Sequence, residues 1–176
     1  MSFHELLVTA TVTSIVLGGV YHLFDQGLRA YAVGTARVEA TQAARAAIVR
    51  MSAEIRNAGR GAVWDGAAIV VAEPSRIVIA SDLDADGNTS DRGEQITWQL
   101  VGSVLRRNAG AGAQPVANGI SALELRYYDA AGQATSVPAD VRIVDVALAA
   151  ESTLGGGNLA RGVATRIETR VRLRNR

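Results

Sequence analysis

The chain has 176 residues, 48% hydrophobic and 20% charged, enough for one compact domain and a long additional helix. A net charge of +1 provides no electrostatic drive toward nucleic acid. The absence of cysteine removes disulfide scaffolds, thiolate metal sites and thiol nucleophiles, and because all 18 basic residues are arginine, Schiff-base chemistry is removed as well.

The first element is an uncharged run of 19 residues, Leu6 to Phe24. As a helix rising ~1.5 Å per residue it is about as long as the hydrocarbon core of a bilayer is thick. Glu5 stands directly before it. A carboxylate costs roughly 2.5 to 3.5 kcal/mol at the membrane centre and less at the interface, so Glu5 needs compensation. It can come from the positive end of its own helix, from water and headgroups, from the amine of Met1, or from the amine of a neighbouring subunit. The segment lacks the basic stretch that precedes a secretory signal core, and no small-residue cleavage pattern follows Phe24. Any leader is therefore expected to precede Met1.

From Asp25 to Asn57 there is no proline, and Ala40, Ala44, Ile48, Met51 and Ile55 recur at spacings of three or four. This predicts a helix with one buried stripe. Glu39, Arg45, Arg50, Glu54 and Arg56 fall off the stripe and are expected in solvent. Arg37 falls on its backward extension, where its stem would lie along apolar surface. The helix should stop at Asn57-Ala58-Gly59, with Gly59 as the cap. A continuous helix from Ser2 to Ala58 would be about 85 Å long, so its first half must be buried in something other than the domain. Gly18, Gly19, Gly27 and Gly34 each weaken it by ~1 kcal/mol relative to alanine.

After Gly61 the pattern changes to period two. Ile77 and Ile79, then Ile96, Trp98 and Leu100, then Leu123, Leu125 and Tyr127, then Val144, Val146 and Leu148 mark the buried faces of antiparallel strands. The last strand turns Ile167, Val171 and Leu173 inward and Arg166, Arg170, Arg172 and Arg174 outward, a charged row that protects an edge. Val101-Gly102-Ser103-Val104 has the spacing of a tight hairpin. Asn108 to Gly112, Asp129 to Gly132 and Gly155 to Asn158 punctuate loops. The predicted fold class is α+β, a long N-terminal helix packed through its second half on an antiparallel sheet. The expected divisions are an apolar segment over residues 1–24, an amphipathic helix over 25–59 and a sheet domain over 60–176.

Chemistry-bearing residues are few. The two histidines, His4 and His22, lie too far apart on one helix to form a compact site, and no acid-base pair is marked by spacing. No enzyme is expected. One stretch has the alternation of hard oxygen ligands, with a turn glycine, that suits Ca²⁺: Asp82, Asp84, Asp86, Gly87, Asn88, Ser90 and Asp91, with Glu94 following. Its first three acids and its glycine fit an EF-hand loop. The twelfth position is Gly93, Glu94 comes one residue late, and the flanks read as strands.

Met1-Ser2-Phe3-His4-Glu5-Leu6-Leu7-Val8 followed by the apolar helix resembles the processed N-terminus of type IV pilins and type II secretion pseudopilins. Met51 to Gly59, Ile96 to Leu100, Leu105 to Arg107 and Ile120 to Asp129 look like the helix end and central strands of minor pilins of the PilW type and of J-type minor pseudopilins. The missing proline in the first half of the helix and the lack of a Cys-bounded loop favour the minor class. The resemblance implies cleavage by a leader peptidase, methylation at Met1 and a docking role for Glu5. Its implied partners are other pilin or pseudopilin subunits, an inner-membrane assembly platform, and membrane lipid before assembly. It also implies a domain on the periplasmic side of the inner membrane, and later a cell-surface or periplasmic filament. The alternative from the residues is a single-pass membrane-anchored module, calcium-binding or adhesive, that does not polymerise.

Overall fold

The computed structural model describes residues 2–61, 66–151 and 165–175. Helix α1 spans Phe3–Asn57 without interruption, passing through all four glycines. A Cβ added at any of these four would meet nothing within 4 Å, so no packing contact requires them. The helix ends at Asn57, within the predicted stop, but the cap is one residue earlier than the Gly59 expected. Ala58 is the cap, and Gly59 at φ +76° turns the chain out, its N–H donating to the Ala80 carbonyl at 2.8 Å.

Eight strands follow: β1 (Ile69–Glu73), β2 (Arg76–Ala80), β3 (Gln95–Val101), β4 (Val104–Asn108), β5 (Gln114–Asn118), β6 (Ile120–Tyr128), β7 (Ile143–Ala150) and β8 (Thr165–Arg172). They form two antiparallel sheets, β1 to β5 in sequence order and β6-β7-β8. A single sheet was the simpler expectation, and the split occurs at Gly119. There φ is +71°, and a Cβ would stand 2.9 Å from the Glu151 carbonyl oxygen and 3.5 Å from Ala40. The chain turns sharply beside the helix at that point, and β6 begins a new sheet instead of pairing with β5.

Period two holds clearly in β6, whereas β2, expected to bury only Ile77 and Ile79, is buried without alternation from Ile77 to Ala80 because it lies inside the five-stranded sheet with both faces covered. The Val101–Val104 hairpin forms with Gly102 at φ +60°, and the β3 and β4 residues pair as expected of it. Strands β1 and β5 carry no clear alternation in sequence. Pro115 sits within β5, which is tolerated because β5 is an edge strand. The predicted loop at Gly155 to Asn158 lies outside the described residues.

The helix stripe packs against residues of both sheets. Ala44, Ile48, Met51 and Ile55 are buried with Trp98, Leu105, Val144 and Leu148 in one core, each large side chain contributing roughly 1.5 to 3 kcal/mol. Two expectations about the charged positions need correction. Arg37 is exposed, because the domain's footprint begins only at Ala40. Glu54 is not on a solvated face: its carboxylate accepts from the Trp98 indole Nε1 at 2.7 Å and from Arg107 Nε at 2.9 Å. These bonds fasten the helix to the larger sheet.

The two sheets are joined by the buried Tyr127, whose hydroxyl donates to the Glu73 carbonyl at 2.7 Å, and by the Leu125 N–H, which donates to Pro74 at 2.8 Å. Burial, with Glu73 nearby, pushes the Tyr127 hydroxyl far above its ordinary pKa, so it stays a donor. The outward arginines of edge strand β8 are partly spent on ion pairs, Arg166 with Glu124 at 2.8 Å and Arg170 with Asp145. The hydrogen bonds from these guanidinium groups hold both carboxyls below the usual range. After β8 the Arg174 N–H donates to the Arg56 carbonyl at 3.0 Å, closing the chain onto the helix end.

Candidate functional sites: the free helix and the acidic loop

The N-terminal part of α1 is long and apolar enough to cross a membrane, and none of that segment is buried against the domain. Three of its hydroxyls are satisfied within the helix. The Thr9, Thr11 and Ser14 hydroxyls each donate 2.8 Å back to a carbonyl four residues earlier. Polar side chains resume at its end, where His22 bonds Gln26 at 2.9 Å and Asp25 pairs with Arg29 at 2.9 Å.

Glu5 is compensated by its own helix. Ser2 caps the first turn, its N–H donating to Glu5 Oε2 at 2.8 Å while the Glu5 N–H donates to Ser2 Oγ at 3.4 Å. This is a capping box, and its signal was the Ser-x-x-Glu spacing ahead of an apolar run. Of the four sources of compensation open in the sequence, the described chain uses the positive helix end. Met1 lies outside the described residues.

The acidic loop sits at the other end of the helix, about 50 Å beyond Phe24 along the axis. The Asp82 N–H donates to the Arg60 carbonyl at 2.7 Å, and Ser81 Oγ to that of Asn57 at 3.4 Å. The residues proposed as ligands divide into two groups. Asp82 and Glu94 are each 2% exposed and build the loop. Asp82 accepts from the N–H groups of Ala85 (2.6 Å) and Gly87 (3.1 Å), and Glu94 from those of Leu83 (2.8 Å) and Asp91 (3.2 Å). Asp84, Asp86 and Asn88 are exposed, and each accepts from the N–H two residues on, making successive Asx turns. Asn88 also accepts from the Ser90 hydroxyl at 2.7 Å.

Carboxylate oxygens of Asp82, Asp84 and Asp86 lie within 4.8 Å of one another and can hold a metal ion, while Asp91 and Glu94 are not in that group. The Asp86 N–H draws the Asp84 carboxyl down, but desolvation and the charges of Asp86, Glu94 and Asp91 outweigh it and leave the group raised. Comparison of the sequence with protein-family models and with curated proteins gives no match.

Proposed function

We propose that the chain is a non-enzymatic subunit of a type IV pilus or type II secretion filament, of the minor pilin or pseudopilin kind. In this reading it is held by its apolar helix in the inner membrane, with the domain on the periplasmic side, after leader-peptidase cleavage and methylation at Met1. An assembly platform then moves the helix into the filament core among other pilin-like subunits. The observation that carries the reading is the geometry of α1: one helix of 55 residues whose buried positions all lie between Ala44 and Ile55, leaving the apolar half free of the domain. Lipid or other helices must cover that half. In lipid the hydrophobic effect does not favour one of these over the other, so packing and polar pairing select the helix neighbour.

Glu5 has a role in both states. In the membrane its charge is balanced by Ser2 and the helix N-terminus, and in the filament the same carboxylate is available to a neighbour's amine. Glu5→Ala is expected to leave membrane insertion intact and to reduce the chain's incorporation into filaments recovered by shearing from the cell surface. Unchanged incorporation would remove the docking role.

A second reading is supported by the aspartate triad: a membrane-anchored module whose acidic loop holds Ca²⁺. The raised Asp84 sets the sign of the pH effect. With no cation bound, ionising Asp84 disfavours the folded loop, so its contribution to stability is lost as pH rises through the folded-state pKa. A bound cation reverses this. Calorimetric titration near neutral pH is expected to show heat of Ca²⁺ binding and a higher Tm with the ion in excess. No heat and an unchanged Tm would eliminate the metal.

A further inference from the structure

Of the six asparagines in the chain, only Asn88 is followed two positions later by a hydroxyl residue, in Asn88-Thr89-Ser90. An asparagine with a hydroxyl at that distance, and no proline between, is the acceptor pattern for N-linked glycosylation, which needs an accessible loop outside the cytoplasm. The loop between β2 and β3 is accessible there: Asn88 and Ser90 are exposed and Thr89 is half-buried.

The amide of Asn88 is held in one orientation. Its Oδ1 accepts from the Ser90 N–H at 2.8 Å and from the Ser90 hydroxyl at 2.7 Å. A backbone N–H can only donate, so the amide nitrogen is turned the other way, where it donates to the Asp86 carboxylate. An amide nitrogen is a poor nucleophile because its lone pair is shared with the carbonyl. Hydrogen bonds on the oxygen make the nitrogen's own N–H more acidic, and the carboxylate beside it favours loss of that proton as a bond to carbon forms.

A groove of about 460 Å³ begins at the same residues, with Thr89, Ser90, Arg92, Gln95, Thr97 and Asn108 in its wall. Gln95 Nε2 is turned to Thr89 Oγ1 at 3.5 Å, and Asn108 Oδ1 accepts from the Gly110 N–H at 3.0 Å. That leaves the Gln95 side-chain oxygen and the Asn108 amide nitrogen for a ligand. Amides and hydroxyls together suit sugar hydroxyls, which both donate and accept.

We propose that Asn88 carries an N-linked glycan whose first sugars lie along this groove. The donor is a glycan joined through its C1 to a polyprenyl diphosphate, transferred by a membrane oligosaccharyltransferase. The Nδ2–C1 bond forms, the C1–O bond to the diphosphate breaks, polyprenyl diphosphate leaves with the electron pair, and one Nδ2 proton passes to a base. The modification rests on the reading that places the domain on the periplasmic side, where the loop meets the donor.

The full chain purified from its own host would be cut with trypsin, which releases residues 77–92 as one peptide between Arg76 and Arg92. Mass spectrometry with electron-transfer fragmentation is expected to find a glycan mass on Asn88. Asn88→Gln and Ser90→Ala should remove it, and Ser90→Thr should keep it, because threonine supplies the same hydroxyl. An unmodified peptide, or a sugar on Thr89 or Ser90 instead, would overturn the proposal. Protease digestion of spheroplasts separates the two ways of failing. An unmodified Asn88 on an accessible domain removes the glycan alone, whereas a domain shielded by an intact inner membrane removes the periplasmic placement and the glycan with it. Nuclear Overhauser contacts from the first sugar to Gln95 and Thr97 are expected, and a modified chain without them would remove the groove from the proposal.

Discussion

Trp98→Ala is expected to lower the stability of the domain by about 3 to 5 kcal/mol, the range for deleting a large buried aromatic. Trp98 is 0% exposed and lies among the helix stripe and both sheets. The truncation leaves a cavity and also strips Glu54, itself half-buried, of its 2.7 Å indole donor. Since such domains are stable by only about 5 to 15 kcal/mol, this is a large fraction of the total. Thermal unfolding of the full chain in micelles, followed by circular dichroism in the strand region, should show a Tm lower by on the order of 15 to 30 °C. Helical signal from the apolar segment should persist, because that segment takes nothing from the domain. Simultaneous loss of both signals would mean that the two halves of α1 are energetically one unit.

Asp82→Ala is expected to unfasten the acidic loop while sparing the rest. It removes the acceptor of two backbone N–H groups, those of Ala85 and Gly87, bonds to a charged acceptor worth roughly 1.5 to 3 kcal/mol each. It also removes the support for Ala85 at φ +66°, a backbone conformation unfavourable for a residue with a Cβ. Hydrogen exchange should show lost protection over residues 83–94 and retained protection in β6, β7 and β8. Asp84→Asn should act in the opposite sense. Its carboxyl is held above the usual range by desolvation and by the charges of Asp86, Glu94 and Asp91, so neutralising it relieves both and leaves the loop as stable as before or more so. Equal destabilisation by the two changes would refute the division between loop-building and outward-facing acids.

The same division shows what residue pattern can and cannot convey. Spacing identified the acidic stretch and its turn glycine, because alternating Asp residues and Gly87 are local features. It did not distinguish Asp82 and Glu94 from Asp84 and Asp86, since burial of the first pair depends on the loop folding back over the helix end. Glu54 was assigned to solvent for a related reason. Its off-stripe position is a helical property, while its partners Trp98 and Arg107 are 44 and 53 residues away in the chain. The capping box at Ser2 and Glu5, by contrast, was local and legible as Ser-x-x-Glu.

By itself the sequence determined the elements whose causes are local. These are the long helix with its apolar first half and alanine-rich buried stripe, the stop at Gly59, the Gly102 hairpin and the one-sided strands, all of which follow from side-chain periodicity and backbone preference over a few residues. The tertiary structure alone decided that the strands form two sheets and not one, that the Glu73–Arg76 turn and Tyr127 join them, and that Glu54 faces inward. Periodicity states which face of an element is buried. It does not state against what, because that depends on where the chain turns, as at Gly119, and on which distant residues the turn brings within reach.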